Sequence, residues 1–305
     1  MRILVLGGTG SIGAPVVREL VGRGHAVTAL ARSTESARRL AELGATPIVG
    51  GDIRAPETWL GAVAGAEAVI HAALDFTSDM GPIEDRLLHA LLPALAAQRT
   101  PVRFVYTGGC WLYGATGSRT ATERTPFDPL PTFAWMVPNL RRVLGSGEVA
   151  GVVIHPAMVY EIVGGVFTRF AEDARRRNAV RVVAGEDVRW PLVHRDDLAT
   201  LYALAVERAR PGSSYNGVAV EGLAVGRIAR AIARRFKTPS AIPEIMTVEE
   251  IAAEHGEWAR GYALDQRLSG DKARHELGWT PCHLDPEAEI GRLEDAQSSS
   301  TSTGW

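Results

Sequence analysis

The segment LVLGGTGSIG at residues 4–13 restricts this chain more than any other. A short apolar run breaks into glycines spaced Gly7-x-x-Gly10-x-x-Gly13, and an amphipathic stretch follows at once. A strand that turns directly into a helix through such a triplet has one common use. Gly7 permits the tight turn, Gly10 lets the backbone approach a pyrophosphate, and Gly13 allows helix and strand to pack closely. The N-terminus of that helix then offers free N–H groups and a positive dipole end to the phosphates. Gly7, Thr9, Gly10, Ser11, Ile12 and Gly13 are therefore expected to line a dinucleotide.

The rest of the first half repeats the rhythm. Apolar runs stand at 2–7, 26–31, 46–51, 67–73, 102–108 and 151–156, each short, rich in Val and Ile, and closed near Gly, His or Pro. Helical patterns such as GAPVVRELVGRG and EDRLLHALLPALAAQ lie between them. Strand alternating with helix predicts an α/β fold with a Rossmann-type doubly wound parallel sheet, whose ligands bind at the carboxyl ends of the strands. That logic adds Ile53, Ala72, Ala73, Thr107 and Pro156 to the cofactor-lining set. After Tyr160 the pattern loosens into mixed helices and short strands. The expected organisation is a nucleotide-binding domain over 1–160, with 194–217 returning to it, and a smaller substrate lobe over 161–193 and 218–292. The stretch from Ala296 to residue 305 (AQSSSTSTGW) is expected to be disordered.

Two positions discriminate between cofactors. The second strand ends Leu30-Ala31-Arg32-Ser33. A site for NAD usually carries a carboxylate here for the ribose 2′-OH; this chain has none, and Arg32 can pair with a 2′-phosphate. The expectation is NADP(H). Asp52, after the third strand, is placed to meet the adenine amino group or to cap a helix over 56–63.

Bulk properties narrow the setting. The 305 residues carry a formal net charge of -2, which gives a nucleic-acid partner no electrostatic support. Cys110 and Cys282 lie far apart and form neither a disulfide framework nor a metal-ligand set. His194, Asp196 and Asp197 show metal-like spacing but read as the start of a helix and an anchor for the lobe, without further ligands, so no metal is expected. The N-terminal apolar run is too short for a signal peptide, and no run approaches the ~20 residues that span a bilayer. A cytoplasmic protein with a small-molecule substrate is expected, without nucleic-acid or membrane partners, and with a homodimer as the oligomeric option.

At this point a family resemblance emerges. GGTGSIG, GDI at 51–53, VIHAA at 69–73, FVYTGGCWLYG at 104–114, VVIHPAMVY at 152–160, PLVHRDDLA at 191–199 and SGDKARHELGWTP at 269–281 occur in the order found in extended short-chain dehydrogenases/reductases, the group of NAD-dependent epimerases and dehydratases. The resemblance implies a Tyr-x-x-x-Lys pair and an upstream Ser or Thr as the proton relay. This chain departs from it. The hydroxyl position falls on Gly109, the Tyr position on Trp135 and the Lys position on Asn139, and no Tyr-x-x-x-Lys occurs anywhere. Indole is no usable acid, and Asn139 retains only a hydrogen bond for a ribose hydroxyl.

By the family's topology Tyr113 is the first substitute proton donor and His155 the second. Cys110, Trp111, Trp135, Glu161 and Trp190 are expected to line the substrate cleft, although aromatic residues pack ordinary cores equally often. Three readings stay open: an NADP(H)-dependent oxidoreductase acting on an aromatic or polyketide-like carbonyl compound; a lyase, isomerase or cyclase with a structural cofactor; and a non-catalytic NADP(H)-binding sensor.

Overall fold

Alternation along β1 (Arg2–Leu6) separates two cores. Ile3 and Val5 face one hydrophobic cluster, Leu4 and Leu6 the other. Successive side chains of a strand point to opposite faces, so a strand apolar at every position must be covered on both. The computed structural model describes residues 1–75, 79–147, 149–161 and 165–292. The stretch from Ala296 that was expected to be disordered lies outside them.

After β1 the chain runs through α1 (Gly13–Gly22), β2 (Ala26–Ala31), α2 (Thr34–Glu42), β3 (Thr46–Val49), β4 (Ala68–His71), α3 (Met80–Ala96), β5 (Arg103–Thr107), α4 (Met136–Gly145) and β6 (Ala150–Pro156). Then come β7 (Met158–Tyr160), α5 (Phe167–Arg177), β8 (Arg181–Val183), β9 (Arg189–His194), α6 (Arg195–Arg208), β10 (Ser213–Gly217), β11 (Val220–Ala224), α7 (Val225–Arg235), β12 (Glu244–Met246), α8 (Val248–His255), α9 (Asp271–Leu277) and α10 (Pro286–Gly291). A seven-stranded sheet, parallel throughout, has the order β10-β6-β5-β4-β1-β2-β3. On one face Val16, Val17 and Leu20 of α1 and Leu198, Leu201 and Tyr202 of α6 join Ile3, Val105 and Ile154. On the other, Leu87, Leu88 and Leu91 of α3 and Leu140 and Val143 of α4 join Phe104, Tyr106 and Val153. The strand order reverses between β1 and β4. That is where a doubly wound sheet opens a crevice for a ligand.

Beyond β6 the strands form smaller assemblies. β7, β9 and β11 make a three-stranded sheet of order β11-β9-β7, and β8 pairs with β12. A side-chain network ties this region together. Arg181 of β8 bridges Asp173 of α5 (2.9 Å) and Glu254 of α8 (2.8 Å).

One local expectation changes. Residues 56–63 form two 3₁₀ turns, Pro56–Thr58 and Leu60–Val63, rather than one helix. Asp52 caps neither. Its carboxylate accepts the Arg54 N–H at 2.9 Å, and its carbonyl accepts the Trp59 indole N–H at 2.7 Å. Trp59, at φ -133°, breaks the helical path. The indole, buried and anchored backwards, prevails over helix propensity.

The packing of β6 on α4 generates a prediction. A Cβ at Gly151 would lie 2.1 Å from the Val143 carbonyl oxygen, whereas one at Gly145, at the end of α4, meets nothing within 4 Å. Gly151→Ala should destabilise by on the order of 1–3 kcal/mol, and Gly145→Ala should be neutral or stabilising by up to about 1 kcal/mol. Urea midpoints measure both; equal midpoints for the two variants would contradict this packing.

Candidate functional site

The glycine turn is shaped by a neighbour from outside its own segment. Gly7 has φ +84°, and a Cβ there would stand 2.7 Å from the Ala73 backbone. A Cβ on Gly13 would lie 2.0 Å from the Gly7 carbonyl oxygen. The turn closes through Gly10 N–H to Gly7 O at 3.0 Å. Gly10 and Ser11 are exposed, while Thr9 and Ile12 are half-buried. Helix α1 has no side-chain cap and no acidic residue in its first turn, so neither offsets the positive end of its dipole. This arrangement fits a dinucleotide pyrophosphate.

The adjoining strand ends continue the cradle. Ala72 and Ala73 follow β4, half-buried and pressed against Gly7. They are held through His71, a residue whose role no sequence motif marks. Its Nδ1 accepts the Ala73 N–H at 3.4 Å, and its Nε2 meets the buried Glu84 carboxylate at 2.9 Å. Its carbonyl accepts the Thr107 hydroxyl at 2.6 Å, which also meets the Tyr202 hydroxyl at 2.7 Å. Thr107 therefore braces β4 with its side chain. Asp52 and Ile53 stand half-buried after β3, and Arg54 ties Asp52 (3.6 Å) to Asp75 after β4 (2.7 Å). Arg32 is exposed at the end of β2, and among the described residues no hydrogen bond or ion pair holds it. Ser33 caps α2 by accepting the Ser36 N–H, and Arg39 on that helix reaches the Thr9 carbonyl at 3.4 Å.

The exit of β5 differs from the family pattern in a way that packing explains only in part. A Cβ at Gly108 would lie 2.4 Å from Nδ1 of His155, so this glycine is required by the imidazole. A Cβ at Gly109 meets nothing within 4 Å. No steric demand selects glycine there, and the open space stands where the resemblance places a hydroxyl. The following turn, Cys110–Tyr113, is fastened by Gln266, whose Nε2 donates to the Cys110 (2.9 Å) and Gly114 (2.7 Å) carbonyls. Nothing in the local sequence pattern signals Gln266, which arrives from about 150 residues away.

The two proton-donor candidates lie side by side behind this turn. Tyr113 is buried and donates its O–H to Asn216 Oδ1 at 2.8 Å; burial, followed by the Glu123 charge, raises its pKa. His155 is fully buried at the end of β6, edge-on to Tyr113 and against Phe127, and neither ring nitrogen has a hydrogen-bond partner. Burial pushes its pKa down to about 4, with an opposing pull from the Gly109 backbone. Pro156, next in the strand, is buried opposite Gly217.

The expected cleft residues divide. Trp111 is half-buried among Phe133 (5.4 Å), Tyr262 (5.6 Å) and Trp258 (6.3 Å), with its indole N–H buried and unpartnered. Trp135 stands half-buried at the start of α4 beside Gly81 of α3. Asn139, four residues on and so on the same face, is buried and accepts from Arg142 at 3.5 Å. Cys110 is enclosed, and burial pushes its thiol up to about 12. Glu161 is buried against Arg195. Trp190 is buried on β9, stacked on Phe170 and donating to the Tyr262 carbonyl at 3.0 Å. That is the core-packing alternative, with the indole N–H already used.

His155 makes the site pH-sensitive. The unfolded chain takes up a proton near 6.5 and the folded one only near 4. The stability held above pH 6.5 is therefore lost as the pH falls toward 4. The full loss, reached once the folded form is protonated as well, is on the order of 3 kcal/mol. His155→Gln should flatten the fall in urea midpoint between pH 6.5 and 4. An unchanged slope would show that His155 does not titrate in this way.

Comparisons with known proteins place the chain. The model of the NAD dependent epimerase/dehydratase family matches residues 3–217. An uncharacterised protein of Schizosaccharomyces pombe is 30% identical over 290 residues, 93% of this chain and 96% of the relative. The 3-diazoavenalumate denitrifying reductase of a Streptomyces species is 28% identical over 96% of this chain and 100% of its own length. The same fold is seen in DesIV, a dTDP-glucose 4,6-dehydratase of Streptomyces venezuelae solved with NAD (TM-score 0.79, 20% identity, covering 96% and 95%). It recurs in the human epimerase family protein SDR39U1 solved with NADPH (TM-score 0.78, 18% identity, covering 96% and 99%). Among the described residues no helix is long and apolar enough to cross a membrane. With its glycine turn at the switch point of a seven-stranded parallel sheet, the chain belongs to the NAD-dependent epimerase/dehydratase family.

Proposed function

We propose that this protein is an NADP(H)-dependent oxidoreductase acting on a small aromatic or polyketide-like carbonyl compound, without the Tyr-x-x-x-Lys relay. The observation that carries the cofactor assignment is Arg32, exposed and unengaged at the end of β2 where an NAD site would place a carboxylate. The acid nearest in sequence, Glu35, is drawn away by Arg38 at 2.7 Å. Arg39 adds positive charge beside the Thr9 carbonyl. A 2′-phosphate would meet cations here and no competing anion. The bound nicotinamide would supply hydride. The Streptomyces relative, named a reductase, supports the reaction class.

The chain's own residues shape the rest. We read residues 161–193 and 218–292 as the lobe that covers the cleft, with 194–217 returning to the sheet. Trp111 and Trp135 are the aromatic walls, and the unpartnered Trp111 N–H is a donor for a substrate acceptor. For the proton, the geometry favours water entering at the open face of Gly109 over either side chain. The Tyr113 O–H is committed to Asn216, and His155 is neutral and enclosed. The chain's two lysines, Lys237 and Lys272, lie outside the motif, so no ammonium lowers a tyrosine pKa in the family's manner.

Two experiments test this reading. NADPH should bind more tightly than NADH, and Arg32→Asp should level or reverse the preference, a change on the order of 1–3 kcal/mol. Equal affinities in the unmodified protein would remove the assignment. In a carbonyl-substrate assay followed by NADPH absorbance, Tyr113→Phe should keep turnover within a few-fold and lose on the order of 1 kcal/mol of stability. A fall of roughly 10²–10⁴-fold with NADPH affinity intact would make Tyr113 the proton donor instead.

A further inference from the structure

His194, Asp196 and Asp197 carry metal-like spacing in the sequence, and the fold gives that hint a different composition. His194 Nδ1 accepts the Asp196 N–H at 3.3 Å, so this imidazole caps α6. Asp197, one residue further on, instead meets Cys282 and His283 from the segment between α9 and α10. Asp197 Oδ1 lies 3.3 Å from Cys282 Sγ and 3.1 Å from His283 Nδ1, and Sγ lies 3.4 Å from Nδ1. We propose that Asp197, Cys282 and His283 form a site for a thiolate-accepting divalent metal, zinc above all, separate from the cofactor turn.

Geometry and donor chemistry carry the proposal. Around a tetrahedral zinc, with bonds of about 2.0–2.3 Å to O, N and S, ligand atoms stand roughly 3.2–3.6 Å apart. The three atoms, 3.1, 3.3 and 3.4 Å apart, already form a triangle close to that size. The set combines a carboxylate, an imidazole and a thiol, the mixture a borderline-soft cation takes and calcium or magnesium does not.

The site is also held in place before any ion arrives. Asp197 Oδ2 accepts the His283 N–H at 2.9 Å, and Oδ1 accepts the Cys282 N–H at 3.1 Å. The Asp197 carbonyl accepts the Trp279 indole at 2.8 Å, and the His283 carbonyl accepts the Tyr160 hydroxyl at 2.7 Å. The His194 ring lies flat on His283, centroids 3.9 Å apart. Such outer contacts orient a ligating side chain in advance. Cys282 is exposed and the His283 side chain 30% exposed, so an ion has a path in and a fourth position open to water.

A nucleophilic cysteine fits less well. His283 offers the same nitrogen to both Asp197 and Cys282, so it cannot relay a proton from one to the other. The carboxylate against Sγ opposes a free thiolate. A divalent cation reverses that opposition: the S–H proton leaves to solvent and the metal takes its place between sulfur and carboxylate.

The test uses the full chain, freed of metal by a chelator and titrated with Zn²⁺ and Co²⁺. One equivalent should bind with a Kd of about 10 µM or tighter. Co²⁺ should give a thiolate-to-metal band together with the intense visible bands of four-coordination, and Zn²⁺ should raise the thermal midpoint by mass action. Cys282→Ser should abolish the thiolate band, and Cys282→Ser and His283→Gln should each weaken binding at least about tenfold. Cys110→Ser should leave all of this intact. Asp197 is left unaltered because it also holds the two amides, and an unchanged NADPH titration in the variants certifies their fold. Absence of stoichiometric binding at about 100 µM Zn²⁺, or equal binding by the unmodified chain and both variants, would overturn the proposal.

Discussion

The closeness of two backbones at the centre of the sheet governs the rest of this structure. The turn after β1 passes the exit of β4 with no room for a methyl group, and the start of α1 presses on the carbonyl of that same turn. Backbone packed this tightly cannot drift without moving β1 and β4. The β4 exit is in turn held from three directions: Glu84 of α3 grips the His71 ring, Thr107 of β5 grips its carbonyl, and Tyr202 of α6 grips Thr107. The glycine turn thus inherits the stiffness of the central sheet.

Polar groups around the β5 exit are satisfied less completely. Near the glycine turn, buried His71 and Glu84 are partnered with each other and half-buried Thr107 with its neighbours. Around the β5 exit Tyr113, Asn216 and Gln266 are partnered, but His155 keeps both nitrogens unmatched and Trp111 its N–H; Arg169 likewise leaves two of its nitrogens unmatched while its guanidinium lies over Phe170 and Tyr262. Orphaned buried donors are rare in native folds and carry a desolvation penalty.

Much of the fold was legible because its signals are local. The glycine spacing, the doubly apolar strands and the segment FTRFAEDARRR, which is α5 residue for residue, depend on neighbours within a turn or two. Arg32 was readable as a cation at a strand end for the same reason. What escaped is set by distant partners. Asp52 was read as an adenine contact or a helix cap, and the cap gives way to Arg54 and Trp59, because an indole seven residues on reaches back to it. Trp190 suggested a cleft wall until Phe170 and the Tyr262 carbonyl enclosed it. Gln266 and Asn216 have no periodic signature at all. They are found only once the fold brings the β5 turn and the strand beside β6 within hydrogen-bonding distance.

The contact between Gly108 and His155 constrains the history of the site as well as its shape. An imidazole occupies the volume that any side chain at position 108 would need. The two positions are therefore coupled, and substitutions in contact do not combine additively. Position 155 must become smaller before position 108 can carry a side chain, whereas Gly109 beside it is free to change in one step. The imidazole thus fixes the order in which substitutions at 108 and 155 can be accepted.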